Sequence, residues 1–194
     1  MTYIKSVSNI TLAGAKLLVA AAEAKATEMV SVRQYMYRCQ EHTVMVQKHA
    51  FARCRPAKFA TATSTEKPLD FSRVRQGVPM NIAIVDAATH LVAFERMEGA
   101  KTTSTSIAMD KAFTAAGHRM TTRALSERAA PTGIAFGMHT TNGGRLNIIA
   151  GGVPLTDADG VVIGGIGCSG GTPAQDEEVC EAAIAALQKA TAKL

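Results

Sequence analysis

The chain has 194 residues, of which 47% are hydrophobic and 19% charged; this suits one globular domain and excludes a fibrous or low-complexity chain. Its formal net charge of +5 is concentrated, because Val30 to Gln76 carries nine basic residues against three acids and the remainder 12 against 13, so it is not the footprint of a nucleic-acid-binding face. No apolar run approaches the ~20 residues of a membrane span, and no basic-then-apolar leader precedes the run Leu17 to Ala22, so a cytoplasmic protein with no membrane partner is the default expectation.

Thr11 to Met29 places Leu12, Ala15, Leu18, Val19, Ala22 and Ala26 at helical spacing, which predicts an amphipathic helix. Val30 to Gln76 then lacks any sustained helical or strand period, and a structureless stretch of 47 residues is foreign to a compact domain. Excising it joins Met29 to Gly77-Val78-Pro79 and leaves a helix, a glycine C-cap and a strand. Val30-Ser31 can be encoded by a splice-donor sequence and Gln76 by the CAG of an acceptor. A single domain interrupted by a translated intron at residues 30–76 is therefore expected, with a genuine surface insertion as the rival. Within the segment, Cys39, His42, His49 and Cys54 match no usual zinc spacing, so no metal site is assigned. With Cys168 and Cys180 they do not make a disulfide framework either, and free thiols are expected.

Met80 to Asp86 and His90 to Met97 are two strands around Ala87-Ala88-Thr89, an antiparallel hairpin. Thr103 to Ala116 reads as a helix burying Ile107, Ala108, Ala112 and Ala115 with Lys111 near its apolar edge, and Thr122 to Ala129 as a second helical piece stopped by Pro131. Gly143-Gly144 precede a strand from Leu146 to Ile149. Val153 to Thr156 and Val161 to Ile166 form a further hairpin across the turn Asp157 to Gly160. At the elbow Ser169-Gly170-Gly171 the chain is expected to use backbone conformations closed to residues with a Cβ. A helix then begins at Pro173, with Thr172 as N-cap and Gln175 completing a capping box; Val179, Ala182, Ala183, Ala186, Leu187 and Ala190 are its apolar side. The order α-β-β-α-α-β-β-β-α predicts an α/β (α+β) domain whose five-stranded, mainly antiparallel sheet is packed with helices.

Gly165, Gly167 and Gly170 spell a Gly-x-Gly-x-x-Gly, but no βαβ unit surrounds it and no acidic residue follows at the required distance, so a dinucleotide site is rejected. Free N–H groups at the helix start remain able to hold a carboxylate or propionate, against the reading of a plain strand-to-helix turn. Asp86 and Arg96 are placed at the mouth of the first hairpin, where Asp86 is a turn former or a base. His90 is a ligand or an exposed hairpin residue. His118, Met120 and Thr122 lie around a helix–helix link and include common haem-ligand types. Lys111 pairs with a carboxylate or snorkels, and Cys168 is a small core residue. With no Gly-x-Ser-x-Gly, His-Glu-x-x-His or nucleophile and base pair, no catalytic residue is assigned.

With residues 30–76 set aside, NIAIVDAATHLVAFERMEGA, IAMDKAFTAAGHRMTTRAL and GGVPLTDADGVVIGGIGCSGGTPAQDEEV resemble the GlcG/HbpS family, which includes the C-terminal domain of PduO-type proteins. The resemblance covers residues 9–29 and 77–190 and implies a profilin-like domain that forms a homo-oligomer. It also implies a haem or corrinoid cofactor, since members bind one or the other, while others are encoded beside glycolate or diol catabolism genes. Thr122 matches a threonine that contacts haem iron in one branch of the family. Lys111, Asp86, Arg96, Ser169, Gly170, Gly171 and Asp176 match recurrent pocket-side positions. Three departures stand out: Ala88-Thr89 replaces a glycine pair, Thr121 replaces a proline, and the first helix lacks the histidine that ligates haem in another branch. Two functions follow as expectations. One is a tetrapyrrole or corrinoid binder using Thr122 or His118 near the metal. The other is an enzyme or accessory factor for small hydroxy or oxo acids, with Lys111 and Arg96 holding the carboxylate and Asp86 as base.

Overall fold

The first helix forms where predicted, α1 running Leu12–Glu28, and Thr11 is its N-cap, the hydroxyl accepting a hydrogen bond from the Gly14 amide at 3.2 Å. The structure, a computed structural model, describes residues 9–29 and 77–192, so the proposed intron or insertion and its Cys39, His42, His49 and Cys54 lie outside the described residues. From α1 the described chain continues through β1 (Asn81–Asp86), β2 (Leu91–Arg96), α2 (Ser104–His118), α3 (Thr122–Arg128), β3 (Gly152–Thr156), β4 (Val162–Ser169) and α4 (Pro173–Thr191). Every strand pairing is antiparallel, in the order β2-β1-β4-β3. Among the described residues no helix is long and apolar enough to cross a membrane.

Alternation along β1 divides the interior into two layers. Ile82 and Ile84 join Leu18, Ala22 and Ala26 of α1 and Val179, Cys180 and Ala183 of α4 in the larger core, while Ala83 and Val85 meet Ala108, Ala112 and Ala116 of α2 on the opposite face. The face toward α2 is built from very small residues. A Cβ on Gly167 of β4 would sit 2.2 Å from the Ala108 carbonyl oxygen, and one on Gly165 would sit 2.6 Å from that of Ala112. The first two glycines of the Gly-x-Gly-x-x-Gly therefore let a helix backbone lie directly on a strand. Their purpose is packing, which accounts for their presence without any nucleotide.

The α/β class and the antiparallel sheet stand as expected, but the strand count does not. Among the described residues the sheet has four strands, and Leu146 to Ile149 does not join it. Side chains take its ladder bonds: the Asn147 amide donates to the Thr114 hydroxyl at 2.8 Å, and the Ile149 amide to the Asn147 side-chain oxygen at 2.9 Å. Leu12 is also not a core residue, being 54% exposed at the first position of α1. The turn Asp157 to Gly160 has the expected chemistry, with the Asp157 carboxylate accepting from the Asp159 and Val161 amides and Gly160 at φ +76°.

Candidate functional site

The capping box that starts α4 is complete: Thr172 accepts from the Gln175 amide, and the Gln175 side chain accepts from the Thr172 amide. This fixes the first turn of α4 against the end of β4 and carries Asp176 inward, where it is 3% exposed. Lys111 reaches it from α2. The Lys111 ammonium donates to Asp176 Oδ2 at 2.7 Å and to the Cys168 carbonyl at 2.9 Å, and the residue is 1% exposed. The sequence placed Lys111 at an apolar edge. In the structure it is wholly inside, which requires a buried partner of opposite charge.

Asp176 is saturated as well. Its Oδ1 accepts from the Gly170 amide at 3.2 Å and the Gly171 amide at 2.9 Å. The N–H groups considered as a cradle for an external carboxylate are thus occupied by the chain's own. The elbow glycines also have a different reason from the one expected. Neither has a positive φ among the described residues. Instead, a Cβ on Gly170 would meet the Pro79 carbonyl oxygen at 2.2 Å, and one on Gly171 would meet Gln175 Oε1 at 2.8 Å. Ser169 is buried at the end of β4, and its carbonyl accepts from the Asn81 side-chain amide.

The corner Gly151-Gly152 joins this ion pair to Thr122. Gly151 has φ +113°, and a Cβ there would lie 2.5 Å from Asp176 Cβ and 2.9 Å from Lys111 Nζ. Its carbonyl accepts from the Cys168 amide at 2.8 Å and from the Cys180 thiol at 3.3 Å. Thr122, the first residue of α3, is fully buried and its Oγ1 accepts from the Gly152 amide at 2.9 Å. Cys168 and Cys180 are both buried free thiols, and burial first, then the neighbouring Cys180, pushes the Cys168 thiol well above its ordinary range.

Immediately before this corner the chain forms one wall of a groove of about 480 Å³, lined by Ile148, Ile149, Ala150 and Pro173 on one side and by Arg123, Ser126 and Glu127 of α3 on the other. That volume is within the ~300–1,000 Å³ usual for small-molecule sites. Arg123 forms an ion pair with Glu177 across the opening, and that contact, with the charges of Glu127 and Glu181 behind it, raises the guanidinium above its ordinary range.

The candidate residues fall into four places. Lys111, Thr122, Ser169, Gly170, Gly171 and Asp176 converge behind the groove as a closed network. His118 ends α2 half-buried and does not line the groove. Asp86 and Arg96 lie at opposite ends of the hairpin, since Arg96 pairs with Asn81 while Asp86 closes the turn, where its carboxylate accepts from the His90 amide at 2.8 Å. The structure therefore does not gather Lys111, Arg96 and Asp86 around one small acid. Sequence reading missed Arg123, Ser126, Glu127 and Ile148 to Ala150; the signal available was the Gly151-Gly152 pair, which marks a close backbone approach beside α3.

The residues lining the groove fit the ring of a tetrapyrrole better than its metal. Ile148, Ile149, Ala150 and Pro173 offer apolar walls, but no lining residue is a His, Met, Cys or Tyr. Among the described residues no cluster of His, Cys, Asp and Glu could hold a metal ion.

Comparison with known proteins agrees with this fold. Residues 70–185 match the family described as haem degrading protein HbpS-like. An uncharacterized 15.0 kDa protein from the dhaT-dhaS intergenic region of Citrobacter freundii is 32% identical over 125 residues, covering 64% of this chain and 87% of that protein. The corrinoid adenosyltransferase PduO of Salmonella typhimurium is 35% identical over 114 residues, which span 59% of this chain but only 34% of PduO. The crystal structure of a PduOC:haem complex superposes with a TM-score of 0.62 at 24% identity, covering 92% of this chain and 94% of the other, and so has the same fold.

Proposed function

The chain belongs to the HbpS-like family, and from that premise we propose that it is a binding protein for haem or a related tetrapyrrole or corrinoid, acting as a homo-oligomer. The groove between α3 and residues 148–150 is the observation that carries this reading. Ile148, Ile149, Ala150 and Pro173 hold the face of a macrocycle, and Ser126 and Arg123 meet its polar edge. Lys111, Asp176, Thr122 and the Ser169-Gly170-Gly171 elbow fix the corner from which the groove wall extends. A bound haem or corrinoid would supply redox or axial-ligand chemistry at its metal; the groove's own residues supply shape and charge. Binding is proposed rather than turnover, because the buried titratable pair is closed on itself and has no opening toward the groove.

Titration with haemin and with aquocobalamin, followed by absorbance, tests the reading. A saturable spectral change at micromolar protein with either compound is the expected result, and saturation with neither would refute it. Sedimentation of the free and loaded protein measures the oligomer.

A further inference from the structure

Resting on that reading, the charge at the groove mouth narrows the ligand class. Arg123 is the cation that lines the groove, and it is surrounded by acids. Glu127 follows it by one turn on α3 and lines the same groove, Glu177 is in contact with its guanidinium, and Glu181 stands one turn beyond Glu177 on α4. Further in, the positive charge of Lys111 is balanced by Asp176 at 2.7 Å, so the interior adds no cation. The groove lining thus carries one guanidinium and one carboxylate, Glu127, and the guanidinium is held from α4 by Glu177. Arg123 is itself 52% exposed on its side chain while Glu177 is only 14% exposed, so the cation is reachable but already engaged.

Haem carries propionates at its edge, which need free cations or donors. A corrinoid carries primary amides at its edge instead, and amides both donate to carboxylates and accept from Arg123 and Ser126. We propose that the groove selects an amide-edged macrocycle of the corrinoid class over a carboxylate-edged one such as haem, and that Glu127 and Glu177 determine this specificity.

The test compares aquocobalamin and haemin binding by the full chain and by E127Q, E177Q and the double variant E177Q/R123Q, each first checked for an unchanged circular dichroism spectrum. The unsubstituted protein should bind aquocobalamin more tightly. E177Q, by releasing Arg123, should strengthen haemin binding by roughly three- to fivefold, the size expected of a surface ion pair, and weaken aquocobalamin. E127Q should shift the ratio in the same direction, and E177Q/R123Q should cancel the gain in haemin affinity. Tighter haemin binding by the unsubstituted protein, or a ratio that neither Glu variant moves, would overturn the proposal while leaving the binding function intact. Saturation by neither compound would overturn both, so the two failures are distinguishable.

Discussion

Joining Met29 directly to Gly77 removes 47 residues and should give a more stable protein. The two ends already meet: the Val78 amide donates to the Ala26 carbonyl at 2.8 Å, and a Cβ on Gly77 would lie 2.4 Å from Thr27 Cα. If Gly77 followed Met29, Met29 would be the C-cap of α1, Gly77 the residue after it and Val78 the next. The existing bond would then be the one that closes a helix with a terminal glycine. Two residues must change, because Met29 has ψ 149°, leading the chain away from the helix, and Gly77 does not yet have the positive φ of a terminal glycine. Against that adjustment stands the entropy of loop closure: a flexible loop of 47 residues would cost (3/2)RT ln n, or about 3 kcal/mol. For a protein of this size about 3 kcal/mol corresponds to a rise in Tm of about 6–12 °C. Urea unfolding of both forms, compared by extrapolated free energy because the shorter chain exposes less surface, measures the gain. A truncated protein that is less stable, or that unfolds without cooperativity, would refute the reasoning and show that residues 30–76 contribute to the folded state.

Lys111→Met leaves Asp176 buried without its counter-charge and should cost about 3–5 kcal/mol in urea unfolding; adding Asp176→Asn, which removes the charge but keeps an acceptor for the Gly170 and Gly171 amides, should recover most of it, and an equal loss in the double variant would contradict the pairing. Gly167→Ala drives a methyl into the Ala108 carbonyl and should destabilise by about 1–3 kcal/mol or more, whereas Gly117→Ala, with its nearest foreign atom at 3.6 Å inside α2, should stabilise by up to ~1 kcal/mol, both read from Tm. Thr89 has φ +69°, a left-handed conformation unsuited to a β-branched residue, so Thr89→Gly should raise stability by about 1 kcal/mol and an unchanged midpoint would count against strain there. Burial raises the Cys168 thiol above its ordinary value of about 9, so above that pH the unfolded chain loses a proton that the folded chain keeps. Stability should fall there by about 1.4 kcal/mol per pH unit until the folded thiol also ionises, and Cys168→Ala should remove that slope; a slope that persists in the variant would assign it to other groups.

Local chemistry was legible in the sequence wherever both partners lie within one turn or hairpin. The Thr172 and Gln175 capping box, the Asp157 turn and the Asn81–Asp86 with Leu91–Arg96 hairpin all depend on residues a few positions apart, and all are present. What the sequence hid depends on distant partners. The carboxylate that draws Lys111 inside lies 65 positions away, and no spacing encodes it. Leu146 to Ile149 has a strand's composition but loses its ladder bonds to Thr114, whose own position follows from α2 lying on β4. Asp86 and Arg96 were read together because both are polar ends of one hairpin, yet antiparallel register sends them to opposite ends.

The same distant partners give the groove wall its rigidity. At its start the Asn147 amide is held by Thr114, and at its end Gly151 and Gly152 are held by Cys168, Cys180 and Thr122. Residues 148–150 are therefore clamped on both sides by bonds that a ligand does not need to make. A wall set in this way costs little ordering entropy when a flat, rigid molecule is laid against it. The mouth is different in kind, since its Arg123, Glu127 and Glu177 side chains stand on two helices and are partly in water. Shape is thus fixed by the buried network and charge by the exposed one, so substitutions at Lys111 or Asp176 should act through folding while those at Glu127 or Glu177 act on which macrocycle is taken.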